Sequence, residues 1–239
     1  MNIPSGVFIE LPCPESVEIA CLAGWDFVVI DSEHGTLNPA LLPGMLRAAS
    51  VPAVVRVSSA SSDLLQFALD SGASGVLVPQ IQSAAQAAAV VQASRFHPRG
   101  RRGLNGFVRA AKYSLAEIPE YLAAADRSRI LIQIETQGAL SEVEAIAALE
   151  GVDELFIGPY DLSQALSLPG QVLHENVLQA GRRIIAAAHD SGKQVSVFAN
   201  TFEAAALWRD LGVDSLHYSA DVFHLAQSLR RVREDLRRL

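Results

Sequence analysis

The sequence predicts an α/β fold, a (β/α)8 TIM barrel, on three observations. Eight short apolar runs rich in β-branched residues are separated by Ala- and Leu-rich stretches of helical spacing, and 239 residues is close to the usual barrel length of about 250. The runs are Val7–Ile9, Phe27–Ile30, Ala53–Val57, Gly75–Val78, Ile130–Ile134, Glu154–Ile157, Val195–Phe198 and Asp214–Tyr218. Near-continuous apolar runs suit a parallel sheet covered by helices. Helical spacing holds over Ala84–Ala93, Glu142–Leu149, Val177–His189 and Phe202–Leu211. Ser71-Gly72, Ser191-Gly192 and Leu211-Gly212 each put a glycine where a helix hands over to a strand, supplying a left-handed cap. A doubly wound open sheet competes, but the glycine fingerprint after its first strand is absent. Residues 1–239 therefore read as one barrel domain.

Composition narrows the class of function. Half of the residues are hydrophobic, 19 % are charged and the formal net charge is -7, an acidic excess that disfavours a nucleic-acid partner. Cys13 and Cys21 form no CxxC pair, so a reducing cytoplasm is the expected compartment. No basic stretch opens the sequence and no window nears the roughly 18 apolar residues of a spanning helix, so no membrane association is expected.

A barrel carries its chemistry at the C-terminal ends of its strands. Those ends read Glu10, Asp31-Ser32-Glu33-His34, Arg56, Pro79-Gln80, Glu135, Asp161, Asn200 and Ser219. Glu135 closes its run directly, and Asp161 follows Leu155-Phe156-Ile157 after the turn Gly158-Pro159-Tyr160. Two carboxylates on neighbouring strands repel unless a cation lies between them. The plainer reading of Asp161 is an N-cap for a helix starting near Leu162. Without a His pair or Cys nearby, the carboxylates make a hard oxygen site for Mg²⁺ or Mn²⁺ rather than zinc. A 2-oxo acid could chelate such a cation, which would stabilise the enolate formed when a proton leaves C3. Arg56 could add positive charge at the same oxygen, and His34 is the candidate proton carrier. Schiff-base chemistry needs a lysine near the reacting carbonyl, whereas the two lysines are Lys193, before its strand, and Lys112, in a long loop.

That loop runs from Arg95 to Arg129 through Pro98-Arg99-Gly100-Arg101-Arg102-Gly103, with a helix expected over Ile118–Ala125. Connections above about 12–15 residues are usually functional or disordered. Arginines among glycines could bind a phosphate or carboxylate, or the loop could be a solvated excursion or a subunit contact.

Asp31-Ser32-Glu33-His34-Gly35, Val54-Val55-Arg56, Gln133-Ile134-Glu135-Thr136 and Phe156-Ile157-Gly158-Pro159-Tyr160-Asp161-Leu162-Ser163 together resemble the HpcH/HpaI aldolase family. Pro98–Gly106 followed by Arg109-Ala110-Ala111-Lys112-Tyr113 resembles that family's long loop. The resemblance implies a class II, metal-dependent pyruvate aldolase acting on 4-hydroxy-2-oxo acids and an aldehyde, assembled as a homo-hexamer. It implies that Glu135 and Asp161 hold the divalent metal, Mg²⁺ or Mn²⁺ with Co²⁺ a further option; no nucleotide is expected, since the sequence shows no site for one. Gln133 and the amides near Tyr160 and Asp161 would position pyruvate, Arg56 would polarise its keto oxygen, and His34 would move protons with Asp31 orienting it. Asp70 matches the family's histidine partner, yet it ends a helix before the fourth strand, at the opposite rim, so it would serve a neighbouring subunit. The chain departs from the family pattern at Val57-Ser58-Ser59 after Arg56 and at Tyr160, where Ala is common. Both departures bear on the aldehyde half of the substrate.

Val222, Leu225, Leu229, Val232, Leu236 and Leu239 form an apolar stripe on a helix expected over about 222–239, with Arg230, Arg231, Arg233, Arg237 and Arg238 on other faces. Such a helix either closes its own barrel or exchanges with a neighbouring subunit. The alternative functions are a citrate-lyase-like CoA-thioester lyase, for which no nucleotide site is evident, and a catalytically silent barrel that binds an oxo acid.

Overall fold

In the computed structural model, which describes residues 3–239, eight parallel strands close into a barrel in chain order. They are β1 (Ser5–Ile9), β2 (Phe27–Asp31), β3 (Ala53–Arg56), β4 (Gly75–Val78), β5 (Arg129–Ile134), β6 (Glu154–Ile157), β7 (Gln194–Ala199) and β8 (Ser215–Ala220), with β8 pairing back onto β1. Each coincides with an expected run, its ends moved by at most two residues. Around them lie α1 (Pro14–Leu22), α2 (Leu42–Ala48), α3 (Ser62–Asp70), α4 (Ala84–Ser94), α5 (Ile118–Ala125), α6 (Gln137–Ser141), α7 (Val143–Ala147), α8 (Pro159–Ala165), α9 (Glu175–Asp190), α10 (Phe202–Leu211) and α11 (Asp221–Leu236). The helix expected over Glu142–Leu149 is shorter and follows a break at Glu142, whose carboxylate accepts the Ala84 amide at the start of α4.

Strand alternation sends one set of side chains outward to the helices and the other into the barrel. The inner set is layered. A middle layer of Phe8, Val29, Val54, Leu77, Leu131 and Phe156 is apolar. Beneath it Glu154, bonded to Arg129 and Ser196, forms a polar floor, and His217 sits against the rings of Phe8, Phe27 and Phe156. Burial, reinforced by Arg129 and Arg56, pushes the His217 pKa down to about 3, so its ring is neutral. Above the middle layer, Asp31, Arg56 and Gln133 begin the C-terminal rim.

A motif recurs at the floor. Gly24-Trp25-Asp26, Gly72-Ala73-Ser74, Gly151-Val152-Asp153 and Gly212-Val213-Asp214 precede β2, β4, β6 and β8, and their glycines have φ of 89°, 89°, 91° and 102°. In each case the Asp or Ser side chain accepts an amide near the start of the preceding strand: Ser5 (2.8 Å), Ala53 (3.2 Å), Ile130 (2.8 Å) and Val195 (2.8 Å). The left-handed glycine turns the chain out of a helix, and the next polar residue satisfies an amide that the sheet edge leaves open.

The long loop is stitched to its own barrel. The Arg95 guanidinium, 3 % exposed, donates to the carbonyls of Ala125, Asp126 and Ser128 and to Asp153. Arg102 donates to Asp70 and lies over the Phe96 ring, and Arg109 donates to the carbonyls of Ser71, Gly72 and Leu46. Arg95, Arg102 and Arg109 are therefore matched to acceptors within the chain, whereas Arg99 and Arg101 of the same run are exposed.

α11 begins by capping the loop after β1, where Asp221 accepts the amides of Glu10 and Leu11. Beyond that turn it covers nothing: the helix has no buried residue, and Leu229 and Leu236 are 63 % and 65 % exposed. Among the described residues no helix is long and apolar enough to cross a membrane.

Candidate active site

A cavity of about 400 Å³ opens at the C-terminal rim, lined by the polar side chains of Glu10, His34, Arg56, Gln133, Tyr160, Asp161 and Asn200 and by the rings of Phe198 and Phe223. Six of the sequence-predicted site residues thus border or back one space: His34, Arg56, Gln133, Tyr160 and Asp161 line it, and Glu135 lies immediately behind Gln133 and Gly158.

The last residues of β2 and β3 pair in register, Asp31 beside Arg56. Arg56 donates from Nε to Asp31 Oδ1 (2.8 Å) and from Nη2 to Oδ2 (2.6 Å), and its guanidinium lies 4.8 Å from the Phe8 ring centre. Burial opposes its charge, but Asp31, Glu33 and Glu135 hold its pKa above the usual value. Asp31 therefore orients Arg56; its other contact is the Glu33 amide, not His34.

Glu33 joins the two halves of the rim. Its Oε2 is 3.3 Å from Arg56 Nη1 and 3.8 Å from His34 Nε2, and burial raises its pKa despite those cations. Sequence reasoning put Glu33 on the rim without a role, since a carboxylate in a post-strand loop gives no sign of its partner. The His34 ring is 63 % exposed, as a group must be that meets a substrate entering from solvent.

Glu135, 1 % exposed, is fixed by the Gln80 amide (2.7 Å) and by the Gln133 side-chain amide. Gln80 adopts φ 59°, a left-handed conformation uncommon outside glycine, on the rim next to Glu135. Burial first, then the negative charges of Asp161 and Glu33, push the Glu135 pKa up to about 7. The Gln133 Oε1 is buried without a partner, an acceptor that a donor in the cavity would satisfy. Gly158 allows this packing, because a Cβ there would stand 3.0 Å from both Gln133 Nε2 and Glu135 Oε2.

Asp161 is the third residue of α8, whose N-cap is Gly158, so it is not itself the cap. Its Oδ1 accepts from Gln164 (3.2 Å). Asp70 is not part of this cavity: it ends α3 and is bound by Arg102 at 2.5 Å. Neither Lys112 nor Lys193 lines the cavity. Among the described residues no three His, Cys, Asp or Glu side chains form a ready-made metal cage. Asn200, which sequence reasoning only placed on the rim, donates to the Tyr160 hydroxyl at 2.6 Å.

Comparison with known proteins places the chain beside known aldolases. The family profile described as HpcH/HpaI aldolase/citrate lyase matches residues 4–227. The chain is 34 % identical to the hydroxypyruvate/pyruvate aldolase of Paraburkholderia phytofirmans, over 97 % of this chain and 92 % of that protein. It is 36 % identical to the 4-hydroxy-2-oxovalerate aldolase of Novosphingobium aromaticivorans, over 96 % and 90 %. The crystal structure of an HpcH/HpaI aldolase/citrate lyase family protein from Burkholderia cenocepacia J2315 superposes with a TM-score of 0.92 at 33 % identity, covering 99 % of this chain and 95 % of that one.

Proposed function

The chain belongs to the HpcH/HpaI aldolase/citrate lyase family, and from that premise we propose that it is a metal-dependent pyruvate aldolase that forms and cleaves 4-hydroxy-2-oxo acids. The observation that carries the reading is the convergence of Arg56, Gln133, Asp161 and His34 on one rim cavity, with Glu135 held behind it.

The residues present fit a divalent cation. Glu135 and Asp161 offer only oxygen donors, suited to Mg²⁺ or Mn²⁺; burial first, and then the charges of Asp161 and Glu33, disfavour the Glu135 carboxylate, a cost that a cation would offset. When bound there, the cation supplies positive charge to the keto and carboxylate oxygens of a 2-oxo acid. Arg56, locked by Asp31, directs its guanidinium at the oxygen on which negative charge develops. In cleavage His34 takes the proton from the C4 hydroxyl, the C3–C4 bond breaks, and its electron pair passes into the pyruvate enolate, which regains a proton at C3. In synthesis the steps reverse, and His34 returns the proton to the new C4 oxygen.

The bare α11 stripe belongs to this reading as a contact with a second copy of the chain, giving a homo-oligomer. Removing the residues after Arg230 should lower the assembly size in light scattering, and an unchanged assembly would contradict the exchange.

Pyruvate incubated with the protein in deuterated water tests the chemistry. Methyl exchange should occur, stop with EDTA and return with Mg²⁺ or Mn²⁺. Exchange that survives EDTA, with borohydride trapping of a lysine, would replace the metal route by a Schiff base.

A further inference from the structure

The lining of the cavity divides by chemistry. On the aldolase reading, Arg56, Gln133 and the Glu135–Asp161 pair take the pyruvate half. What remains for the aldehyde is a wall of Phe198, Phe223 and Val222 with the polar side chains of Ser219, Tyr160 and Asn200, of which Tyr160 and Asn200 are bonded to each other. The Tyr160 ring meets Phe198 edge-on with centroids 6.1 Å apart, and its hydroxyl accepts the Asn200 Nδ2 hydrogen at 2.6 Å. That bond fixes both groups while leaving the tyrosine proton to donate and the asparagine Oδ1 to accept. A donor and an acceptor side by side match one alcohol group, which accepts and donates at a single oxygen.

We propose that the Tyr160–Asn200 pair recognises a hydroxyl on the aldehyde, so that short neutral aldehydes with a hydroxyl beside the carbonyl are the preferred acceptors. The inference rests on the pyruvate aldolase reading and names the substrate class of that site. Charge argues against an anionic aldehyde: among the described residues lining the cavity Arg56 is the one permanent cation, and it is already paired with Asp31 and Glu33, while Glu10 is a carboxylate. An unsubstituted aldehyde would enter but leave the Tyr160 proton and Asn200 Oδ1 facing alkyl hydrogen, an uncompensated desolvation. The pair takes no part in bond making, since the new bond joins pyruvate C3 to the aldehyde carbon; its role is to set which aldehyde lies there.

The test compares kcat/KM of the Mg²⁺- or Mn²⁺-loaded protein for pyruvate addition to glycolaldehyde, acetaldehyde and succinic semialdehyde. Glycolaldehyde should exceed acetaldehyde about tenfold or more. Tyr160→Phe and Asn200→Leu should each bring the glycolaldehyde-to-acetaldehyde ratio towards one, a ratio that is insensitive to a general loss of active protein. A ratio near one in the unmodified protein, a ratio that neither variant moves, or a preference for succinic semialdehyde overturns the inference. Absence of both pyruvate methyl exchange and addition to any aldehyde would instead defeat the aldolase reading.

Discussion

Asp31 and Arg56, neighbours in register on β2 and β3, are joined by two parallel hydrogen bonds of 2.8 and 2.6 Å, with the Asp31 side chain fully buried. A forked contact fixes the guanidinium plane as a single bond would not. Asp31→Asn keeps the shape but offers one donor where an acceptor stood, so Arg56 turns away from the cavity. Steady-state kinetics should show kcat reduced about 10²-fold. Denaturant titration should show a loss of about 3 kcal/mol, because a buried cation loses its partner. Unchanged kcat would mean that Arg56 does not depend on Asp31 for its position.

Glu135 yields a pH prediction with a definite sign. Its carboxyl is raised from 4.5 to about 7 in the metal-free protein, so its favourable contribution is present below pH 4.5 and lost as pH rises through 7. Metal-free stability should therefore fall by about 3 kcal/mol across that window. Cation binding must displace the proton, so affinity for Mn²⁺ should drop about tenfold per pH unit below 7. Calorimetry in buffers of different ionisation heat would register proton release at pH 6 and little at pH 8. Equal affinity at both would remove Glu135 from the metal site.

The barrel was legible in the sequence because strands buried on both faces announce themselves as apolar runs, whatever their partners. Arg56, Glu135 and Asp161 were legible for a related reason, since the fold requires strand ends to share one rim. What could not be read were pairings set by side-chain reach. Asp31 precedes His34 by three residues, yet it turns across the sheet to Arg56. Arg95 and Arg102 look like a surface cluster in sequence, but the loop folds them inward onto carbonyls and Asp70. The Tyr160–Asn200 contact spans 40 residues and two strand ends. The repeated Gly-x-Asp/Ser signal was present in the sequence, and its meaning appears only when each side chain is seen on the preceding strand.

That repeat predicts a graded stability series. Asp153 serves both the Ile130 amide and the buried Arg95, whereas Asp26 serves only Ser5, through its amide and hydroxyl, at an exposed position. Asp153→Ala should cost about 3 kcal/mol and Asp26→Ala about 1 kcal/mol in urea unfolding. Equal costs would show that the amide cap alone accounts for the effect and that Arg95 finds other partners.

His217 should govern stability in acid. With a folded pKa near 3 against 6.5 for a free imidazole, the unfolded chain binds a proton that the folded barrel refuses. Stability is therefore lost as pH falls below 6.5, by about 1.4 kcal/mol per unit. Glu154, with its pKa raised by burial, acts in the opposite direction above pH 4.5, so the comparison is made against His217→Gln, in which only the imidazole is removed. Between pH 6.5 and 5.0 the unmodified protein should lose about 2 kcal/mol relative to that variant in urea unfolding. Parallel pH profiles would mean that His217 is protonated within the fold.

Asp70 lies on α3 at the far rim from His34 of its own chain, bound by Arg102. If the carboxylate assists His34, the two must come from different copies in a symmetric assembly. His34→Ala and Asp70→Asn proteins should each be weakly active alone. Refolded together in equal amounts, they should regain about a quarter of full activity, the fraction of interfaces that join an intact His34 to an intact Asp70. Asp70→Asn preserves the side-chain volume beside Arg102, so circular dichroism can confirm that the loop still folds. Activity equal to the average of the two variants would place both roles within one subunit or remove Asp70 from the reaction.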